Sequence, residues 1–172
     1  KMDGTVTAWG YSIYGQTNIP AGLSNVTAIA AGISHALALR ANGTVVGWGY
    51  NSAGQATPPD DLTQVKAIAA GGNYSLALKS DGTVVAWGSS DYGQTNVPVG
   101  LSNVRAIAAG NQFAMALRAD GTVISWGDNS YGETNVPVGL HGVTAIAAGH
   151  AHAHDAGRVR GTGPHPGGEG GP

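Results

Sequence analysis

Residues 65–88 read VKAIAAGGNYSLALKSDGTVVAWG, and this stretch decides the fold. Two apolar runs flank a Gly-Gly break, and a third run follows Asp81-Gly82. An Asp-Gly pair between β-prone runs is a strong hairpin signal, because a type I′ turn needs positive φ at both central residues. The stretch therefore predicts three consecutive antiparallel strands. A connector such as 93–98 follows them, and its proline cannot donate a hydrogen bond to a ladder.

The same frame recurs along the chain with a period of 39 residues. Its tryptophans stand at Trp9, Trp48, Trp87 and Trp126, and an Asp-Gly-Thr-Val or Asn-Gly-Thr-Val segment precedes each at the same offset. Self-similarity at a fixed period indicates one supersecondary unit that is copied and stacked. Each copy then buries its apolar face on a neighbour.

Both faces of the predicted strands are apolar, and bulk alternates along them instead of polarity, as in residues 36–39 (ALAL). Alternating bulk lets neighbouring sheets interdigitate at close spacing. A β-solenoid usually has shorter repeats, and helical repeats need a 3.6-residue apolar period that this chain lacks. A sheet covered on both faces and repeated radially is a propeller blade. We therefore predict an all-β chain, a β-propeller of short three-stranded blades in which each tryptophan packs between blades.

The composition argues against two kinds of partner. The formal net charge is −2, and the Lys and Arg residues are scattered singly, whereas a nucleic-acid-binding protein carries a clustered basic face. No apolar run approaches the roughly 20 residues that span a bilayer. Cysteine is absent, which excludes disulfides. We therefore expect neither nucleic-acid binding nor membrane insertion.

Several repeated segments resemble those of a known family. They are Asp-Gly-Thr-Val-Val-Ala-Trp-Gly at 81–88, Tyr-Gly-Gln-Thr-Asn-Val-Pro at 92–98, Ala-Ile-Ala-Ala-Gly at 106–110 and Ala-Leu-Arg at 116–118. The chain resembles the regulator-of-chromosome-condensation repeat family, most closely the short bacterial repeats of the type II β-lactamase inhibitor protein. The resemblance covers residues 3–149. It implies a seven-bladed propeller, of which this chain would be a fragment of about four repeats.

The repeats also predict the domain organisation. We expect propeller repeats over residues 1–149, in units 3–41, 42–80, 81–119 and 120–149. The first unit begins midway through a hairpin, which favours a piece of a larger protein. Residues 150–172 are rich in Gly, Pro and His and hold too little apolar surface to offset the entropy of ordering. We expect that tail to be disordered or an artefact of the sequence.

Few motifs could carry chemistry. The only metal-like cluster is His150-Ala-His152-Ala-His154-Asp155, whose alternate imidazoles could bind zinc or nickel on a strand, although a His-bearing tail is the simpler interpretation. The loop 128–133 departs from a calcium-binding EF-hand, because its glycine comes at the fifth position. No catalytic triad, P-loop or dinucleotide fingerprint occurs. We therefore predict no enzyme activity, no metal and no cofactor.

Two loop sets vary between the repeats, while the frame around them is nearly constant. One set follows Ala-Ala-Gly, as at 72–74, and the other follows Trp-Gly, as at 89–92. Strand parity places both sets on the same rim, opposite the Asp-Gly turns. Aromatic side chains with adaptable polar neighbours are typical of protein-binding surfaces. The candidate partner-binding residues of this rim are Ile33, His35, Tyr50, Asn73, Tyr74, Asp91, Tyr92, Asn111, Gln112, Phe113, Asp128 and Tyr131.

These observations favour a non-enzymatic interaction module that binds a partner protein through the rim. A structural or cell-surface repeat array within a larger protein is the first alternative. The resemblance implies a second, an enzyme inhibitor or regulator of the β-lactamase-inhibitor type, with Tyr74 and Phe113 beside Ile33 and His35 in its loop set. It also favours an extracellular or cell-surface location in a bacterium. An open arc of blades exposes sheet faces and strand edges, so we also expect self-association of the fragment.

Overall fold

The computed structural model describes residues 4–149 and the backbone of residues 159–161. Its strands are β1 (Val26–Ala31), β2 (His35–Arg40), β3 (Val45–Gly49), β4 (Val65–Ala70), β5 (Tyr74–Lys79), β6 (Val84–Gly88), β7 (Val104–Ala109), β8 (Phe113–Arg118), β9 (Val123–Gly127), β10 (Val143–Ile146) and β11 (Val159–Gly161). A membrane-spanning helix is absent from this part of the chain, where no helical segment has the length and hydropathy for one.

The strands form three antiparallel sheets of three strands each, in the order β1-β2-β3, β4-β5-β6 and β7-β8-β9. Strands β1, β4 and β7 pack on one another in succession, so they are the inner strands of neighbouring blades. Strand β10 continues this inner row and pairs with β11. The prediction of a β-propeller with three-stranded blades is confirmed, and the chain is a partial propeller with three complete blades among its described residues.

The hairpin between β5 and β6 differs from the predicted type I′ turn. Only Gly82 has a positive φ, of 81°, and its amide donates to the Lys79 carbonyl over 3.0 Å. The Lys79 amide in turn donates to the Thr83 carbonyl, which is the pattern of a three-residue loop with a glycine bulge. Both the hydroxyl and the amide of Thr83 donate to Asp81, and these bonds lower the pKa of that carboxyl. The prediction of a hairpin is confirmed, but its turn type was wrong.

The hydrophobic core lies between the blades. Leu37 and Leu39 of the middle strand β2 pack against Val65 and Trp87 of the next blade. Each buried tryptophan also donates its indole N–H to a glutamine carbonyl in the connector before it, as Trp87 Nε1 does to Gln55 O over 2.9 Å. The predicted packing of tryptophan between blades is therefore confirmed for Trp87 and its two buried repeat equivalents.

Two predictions concern residues largely outside the described part of the chain. The tail 150–172 lies outside it, apart from the backbone of β11, and so does the cluster His150 to Asp155. The domain boundaries likewise stay predictions.

Candidate functional site

The two variable loop sets lie side by side along one edge of the blades. Backbone amides after each outer strand donate to carbonyls of the inner loop beside it, over 2.8 to 2.9 Å, at Tyr50 to Ser34, Ser89 to Asn73 and Asp128 to Gln112. We call this edge the variable rim. It comprises the inner loops 32–34, 71–73 and 110–112 and the outer loops 11–15, 50–54, 89–93 and 128–132.

Three of the candidate residues belong to the core and not to the rim surface. His35, Tyr74 and Phe113 are at most 2% exposed. Each is the first residue of a middle strand, and its ring lies over the glycine three residues earlier, as Tyr74 lies over Gly71. The expectation that these three side chains contact a partner was therefore wrong.

Strand alternation explains the burial of these rings. Side chains at i, i+2 and i+4 of a strand share a face. In β5 these positions are Tyr74, Leu76 and Leu78, and all three side chains are fully buried. The ring therefore extends the row of leucines that packs against the next blade. Its hydroxyl donates to the backbone carbonyl of Phe113 in that blade.

His35 occupies the same position in the first blade but makes a different contact. Its Nε2 lies 2.9 Å from Ser75 Oγ, and the Ser75 hydroxyl donates to the Gln55 carbonyl over 2.8 Å. Because the serine proton is used in that second bond, His35 donates from Nε2, and its buried Nδ1 has no hydrogen-bond partner. Burial lowers the pKa of His35 to about 4, so the imidazole is neutral at neutral pH. Its role is structural.

A Gln or Glu side chain next to each outer loop holds the backbone of that loop in shape. The buried side chains of Gln55 and Gln94 accept hydrogen bonds from the amides of Ala53 and Tyr92. Glu133 does the same for the amide of the residue two positions earlier. These hydrogen bonds fix the backbone beneath the loop tips. The repeats therefore differ in the side chains at the tips and not in the path of the backbone.

The remaining candidates divide into exposed and partly buried side chains. Ile33, Asn73, Asp91, Tyr92 and Tyr131 are exposed. Those that are half-buried are Tyr50, Asn111, Gln112 and Asp128. The rim therefore presents both aromatic and polar side chains from successive blades.

The first outer loop adds three exposed residues that were not among the candidates. They are Tyr11, Ile13 and Tyr14. The Tyr14 ring lies against that of Tyr50, with centroids 4.7 Å apart and planes inclined at 53°. The repeat itself held the signal for two of them, since Tyr11 is equivalent to Tyr50 and Tyr14 to Tyr92.

Charge is distributed unequally between the two rims. All five Lys and Arg residues within 4–149 stand where middle strands end or inner strands begin, which is the edge of the Asp-Gly turns; they are Arg40, Lys66, Lys79, Arg105 and Arg118. The variable rim carries Asp91 and Asp128, with Glu133 next to its last outer loop, and has no Lys or Arg in its described loops. A partner with positive charge matches this rim electrostatically.

Two arrangements that could carry chemistry were considered among the described residues, a metal cluster and a His–Ser pair. No group of three or more His, Asp or Glu side chains within 4–149 is placed to hold a metal ion. The buried imidazole of His35 contacts a serine hydroxyl, but that hydroxyl is itself enclosed and bonded to a carbonyl. What the arrangement can do is present exposed side chains on a fixed scaffold.

Comparisons with known proteins agree with this architecture. The sequence profile of the regulator of chromosome condensation (RCC1) repeat matches residues 26–55, 65–94 and 104–133, which together make up just over half of the chain. Among curated proteins, none matches the sequence.

Solved structures with the same fold include two plant ectodomains and a yeast protein. The ectodomain of the Physcomitrella patens receptor kinase CR4 superposes with a TM-score of 0.73 at 27% identity, over 87% of this chain and 43% of that one. The ectodomain of the Arabidopsis thaliana receptor kinase ACR4 gives 0.63 at 22% identity, over 87% and 51%. Prp20p from Saccharomyces cerevisiae gives 0.63 at 22%, over 83% and 49%. The chain thus spans about half the length of these structures.

Proposed function

Because the chain belongs to the RCC1 repeat family, we propose that it is a protein-interaction module whose variable rim binds a partner protein. The observation that carries this proposal is the set of exposed tip side chains on the outer loops, among them Tyr14 on the first loop, Tyr92 on the third and Tyr131 on the fourth. Tyrosines with rigid backbones supply large contact area at low entropic cost.

The backbone under these tyrosines supports the proposal. The amides of Tyr92 and Tyr131 are held by the side chains of Gln94 and Glu133, each over 2.9 Å. Asp128 also holds its own loop, because its carboxylate accepts hydrogen bonds from the Ser130 amide and hydroxyl. A loop that is ordered before binding loses less entropy when the complex forms, so these tips suit a specific contact.

The negative charge of the rim indicates which side chains a partner surface should carry. Asp91 and Asp128 lie beside the tyrosines, and no cation of the described rim offsets them. We expect a partner surface that combines Lys or Arg with apolar side chains. Arginine suits both features, because it pairs with carboxylates and stacks on aromatic rings.

Most of the residues on which the enzyme-inhibitor alternative depends are buried. Of the loop residues that the resemblance implies, Tyr74, Phe113 and His35 are enclosed between blades, and only Ile33 is exposed. Protein binding by this fold has precedent among the structural neighbours, since yeast RCC1 (Prp20) has been solved bound to Kap60. Kap60 is a partner of the yeast protein, and it is not assigned to this chain.

A paired-variant capture experiment tests the proposal. The immobilised 172-residue chain and its Tyr92→Ser/Tyr131→Ser variant are each exposed to an extract of the source organism, and retained proteins are quantified by mass spectrometry. A rim partner is retained by the parent chain and lost from the variant. With that partner purified, the variant should raise Kd by about tenfold or more, as loss of two aromatic anchors does.

A matched control removes apolar surface outside the rim. Val99 and Val138 are fully exposed in the connectors, so Val99→Ser/Val138→Ser has a similar effect on surface hydrophobicity without touching the rim. Raised salt should also weaken the complex by slowing association, because an acidic rim attracts a basic partner. A partner that both variants lose equally, or that neither loses, would contradict binding through the rim.

A further inference from the structure

The outer loops of the variable rim are held side by side in one repeated geometry. The carbonyl of the glutamine after each loop accepts the indole N–H of the next blade's tryptophan, over 2.9 to 3.0 Å, at Gln16 from Trp48, Gln55 from Trp87 and Gln94 from Trp126. The start of the next loop lies against the same glutamine, since a Cβ added at Gly127 would stand 3.3 Å from the Gln94 Cα. Side chains at equivalent positions of successive loops therefore meet in the same way at each step.

One pair of positions comes into contact at each step, the fourth residue of one outer loop and the first residue of the next. Tyr14 and Tyr50 hold these positions in the first and second loops, and their ring centroids are 4.7 Å apart. Other residues take the same places one and two repeats further along the chain. We call the three pairs the first, second and third loop contacts; they are Tyr14 with Tyr50, Ala53 with Ser89, and Tyr92 with Asp128.

Among the three loop contacts, only the third joins an aromatic ring to a carboxylate. In the first, two tyrosine rings lie against each other, and in the second neither a ring nor a charge is present. In the third, the Tyr92 side chain is 49% exposed, and Asp128 stands opposite it by the repeat equivalence. The third loop contact therefore presents an aromatic face beside a negative charge, and the described loops of the rim contain no Lys or Arg to offset that charge.

The carboxylate belongs to this contact because serine and aspartate occupy opposite positions in the third and fourth outer loops. In the third loop, the Ser89 hydroxyl donates to the Asp91 carboxylate over 2.7 Å. In the fourth loop, the Ser130 hydroxyl donates to the Asp128 carboxylate over 2.6 Å. The hydrogen bond is the same, but the acidic residue stands third in one loop and first in the other. Only the first position faces the preceding loop.

The Asp128 carboxylate retains acceptor capacity for a ligand. Both hydrogen bonds from Ser130 end on Oδ1, and Oδ2 accepts none from the described residues. An ionised carboxylate has about four acceptor positions, so the two bonds leave others free. The Ser130 bonds also fix this carboxylate in its loop, and Gln94 holds the Tyr92 amide over 2.9 Å. Groups that are positioned in advance lose little entropy when a ligand binds.

We propose that the third loop contact is an arginine-binding subsite, where an arginine side chain of the partner stacks on the Tyr92 ring and donates to the Asp128 carboxylate. This inference rests on the proposed function and adds to it one residue type at one place. A guanidinium is planar, so its face can lie on the ring while the N–H groups at its edge reach the carboxylate. A lysine ammonium is a compact, strongly hydrated charge without a plane to stack. The subsite therefore favours arginine over lysine.

A titration with small probes tests the subsite without a known partner. N-acetyl-arginine amide is added at constant ionic strength to the full chain labelled with an NMR-active nitrogen isotope, and the amide shifts are followed. We expect saturable shifts at residues 92 and 128–130 with a Kd of about 100 mM or tighter. The lysine counterpart should bind about threefold or more weakly. The citrulline counterpart keeps the shape of arginine without its charge and should give no saturable shift.

An exchange variant moves the carboxylate without changing the composition or the net charge of the chain. Asp128→Ser/Ser130→Asp gives the fourth loop the arrangement of the third, with the same hydrogen bond between serine and aspartate, and takes the carboxylate away from Tyr92. It should weaken arginine binding by about threefold or more. Tyr92→Leu should weaken it by a similar factor because the ring is lost. Asp60→Asn removes an exposed carboxylate outside the rim and should leave the Kd unchanged.

The titration and the capture experiment fail in distinguishable ways. An equal response of the parent chain and the exchange variant would overturn the proposal, and so would the absence of a saturable shift at residues 92 and 128–130. A captured partner that Tyr92→Ser/Tyr131→Ser loses, but that the exchange variant binds as tightly as the parent chain, would leave the rim as the binding surface and overturn the subsite. If no rim partner is captured and the arginine probe binds as expected, the proposed function fails and the subsite stands.

Discussion

Trp126 and Trp9 occupy the same place in the repeat, but the fold treats them differently. Trp126 is 7% exposed and packs against Leu76 and Leu78 of the blade before it. Trp9 stands in the same Asp-Gly-Thr-Val frame and is largely exposed, because no described leucine pair reaches it. The hydrophobic core therefore lies at the junctions between blades. A blade contributes half of each junction, and its neighbour determines whether that half is buried.

The largest predicted effect contrasts these two tryptophans. Trp126→Ala should lower the free energy of unfolding by about 3–5 kcal/mol, because it leaves a cavity between two blades and removes the indole hydrogen bond to the Gln94 carbonyl. Trp9→Ala should change it by no more than about 0.5 kcal/mol, as for an exposed residue. Urea unfolding followed by circular dichroism measures both. Equal losses would show that the N-terminal face is covered in solution.

The second prediction compares two closed junctions and concerns pH. His35 has a pKa of about 4 in the folded chain against an ordinary value of 6.5, so the unfolded chain binds the proton more readily. Stability from this residue is therefore complete above about pH 6.5 and is lost as the pH falls towards 4. Between pH 7 and 5 the loss should be about 2 kcal/mol.

The control for this pH effect is His35→Tyr, which replaces the imidazole with the ring that Tyr74 supplies at the equivalent position of the next blade. Urea titrations at pH 7 and 5 should show a smaller loss for the variant than for the parent chain by about the contribution of one histidine. If both lose stability equally between these pH values, the buried imidazole is not the source of the acid sensitivity.

The smallest predicted effect concerns the variable rim. Tyr92→Ser/Tyr131→Ser should leave the free energy of unfolding within about 0.5 kcal/mol per site, because both rings are exposed and their loop backbones are held by Gln94 and Glu133. Thermal unfolding of the variant beside Val99→Ser/Val138→Ser measures this. A clear loss confined to the tyrosine variant would place those rings in the packing of the fold.

Local sequence signals predicted most of the architecture. The Asp81-Gly82 pair marked a hairpin, and the three apolar runs of residues 65–88 marked the strands β4, β5 and β6. The turn type was missed, because an Asp-Gly pair also suits a three-residue loop with a glycine bulge. The order of the strands and the shared rim followed from strand parity alone.

The candidate site was predicted less well, and the error has an identifiable cause. Loop and strand were divided one residue too late, so Tyr74 was assigned to the variable loop, whereas it is the first residue of β5. Alternation from Leu76 and Leu78 would have placed it on the inter-blade face. In the outer loops, the equivalence of Tyr11 to Tyr50 would have added an exposed residue to the rim.

The sequence by itself determined the repeat, its strands, its turns and the segments that meet at one rim. These features depend on residues a few positions apart, whose backbone preferences and side-chain alternation are readable locally. Only the tertiary structure decided which copies of a repeated residue are buried, as with Trp9 and Trp126. It also decided which side chain forms a hydrogen bond with the His35 ring. Those outcomes depend on side chains from another blade, about 40 residues away in the chain, and burial is a property of the pair of surfaces that meet.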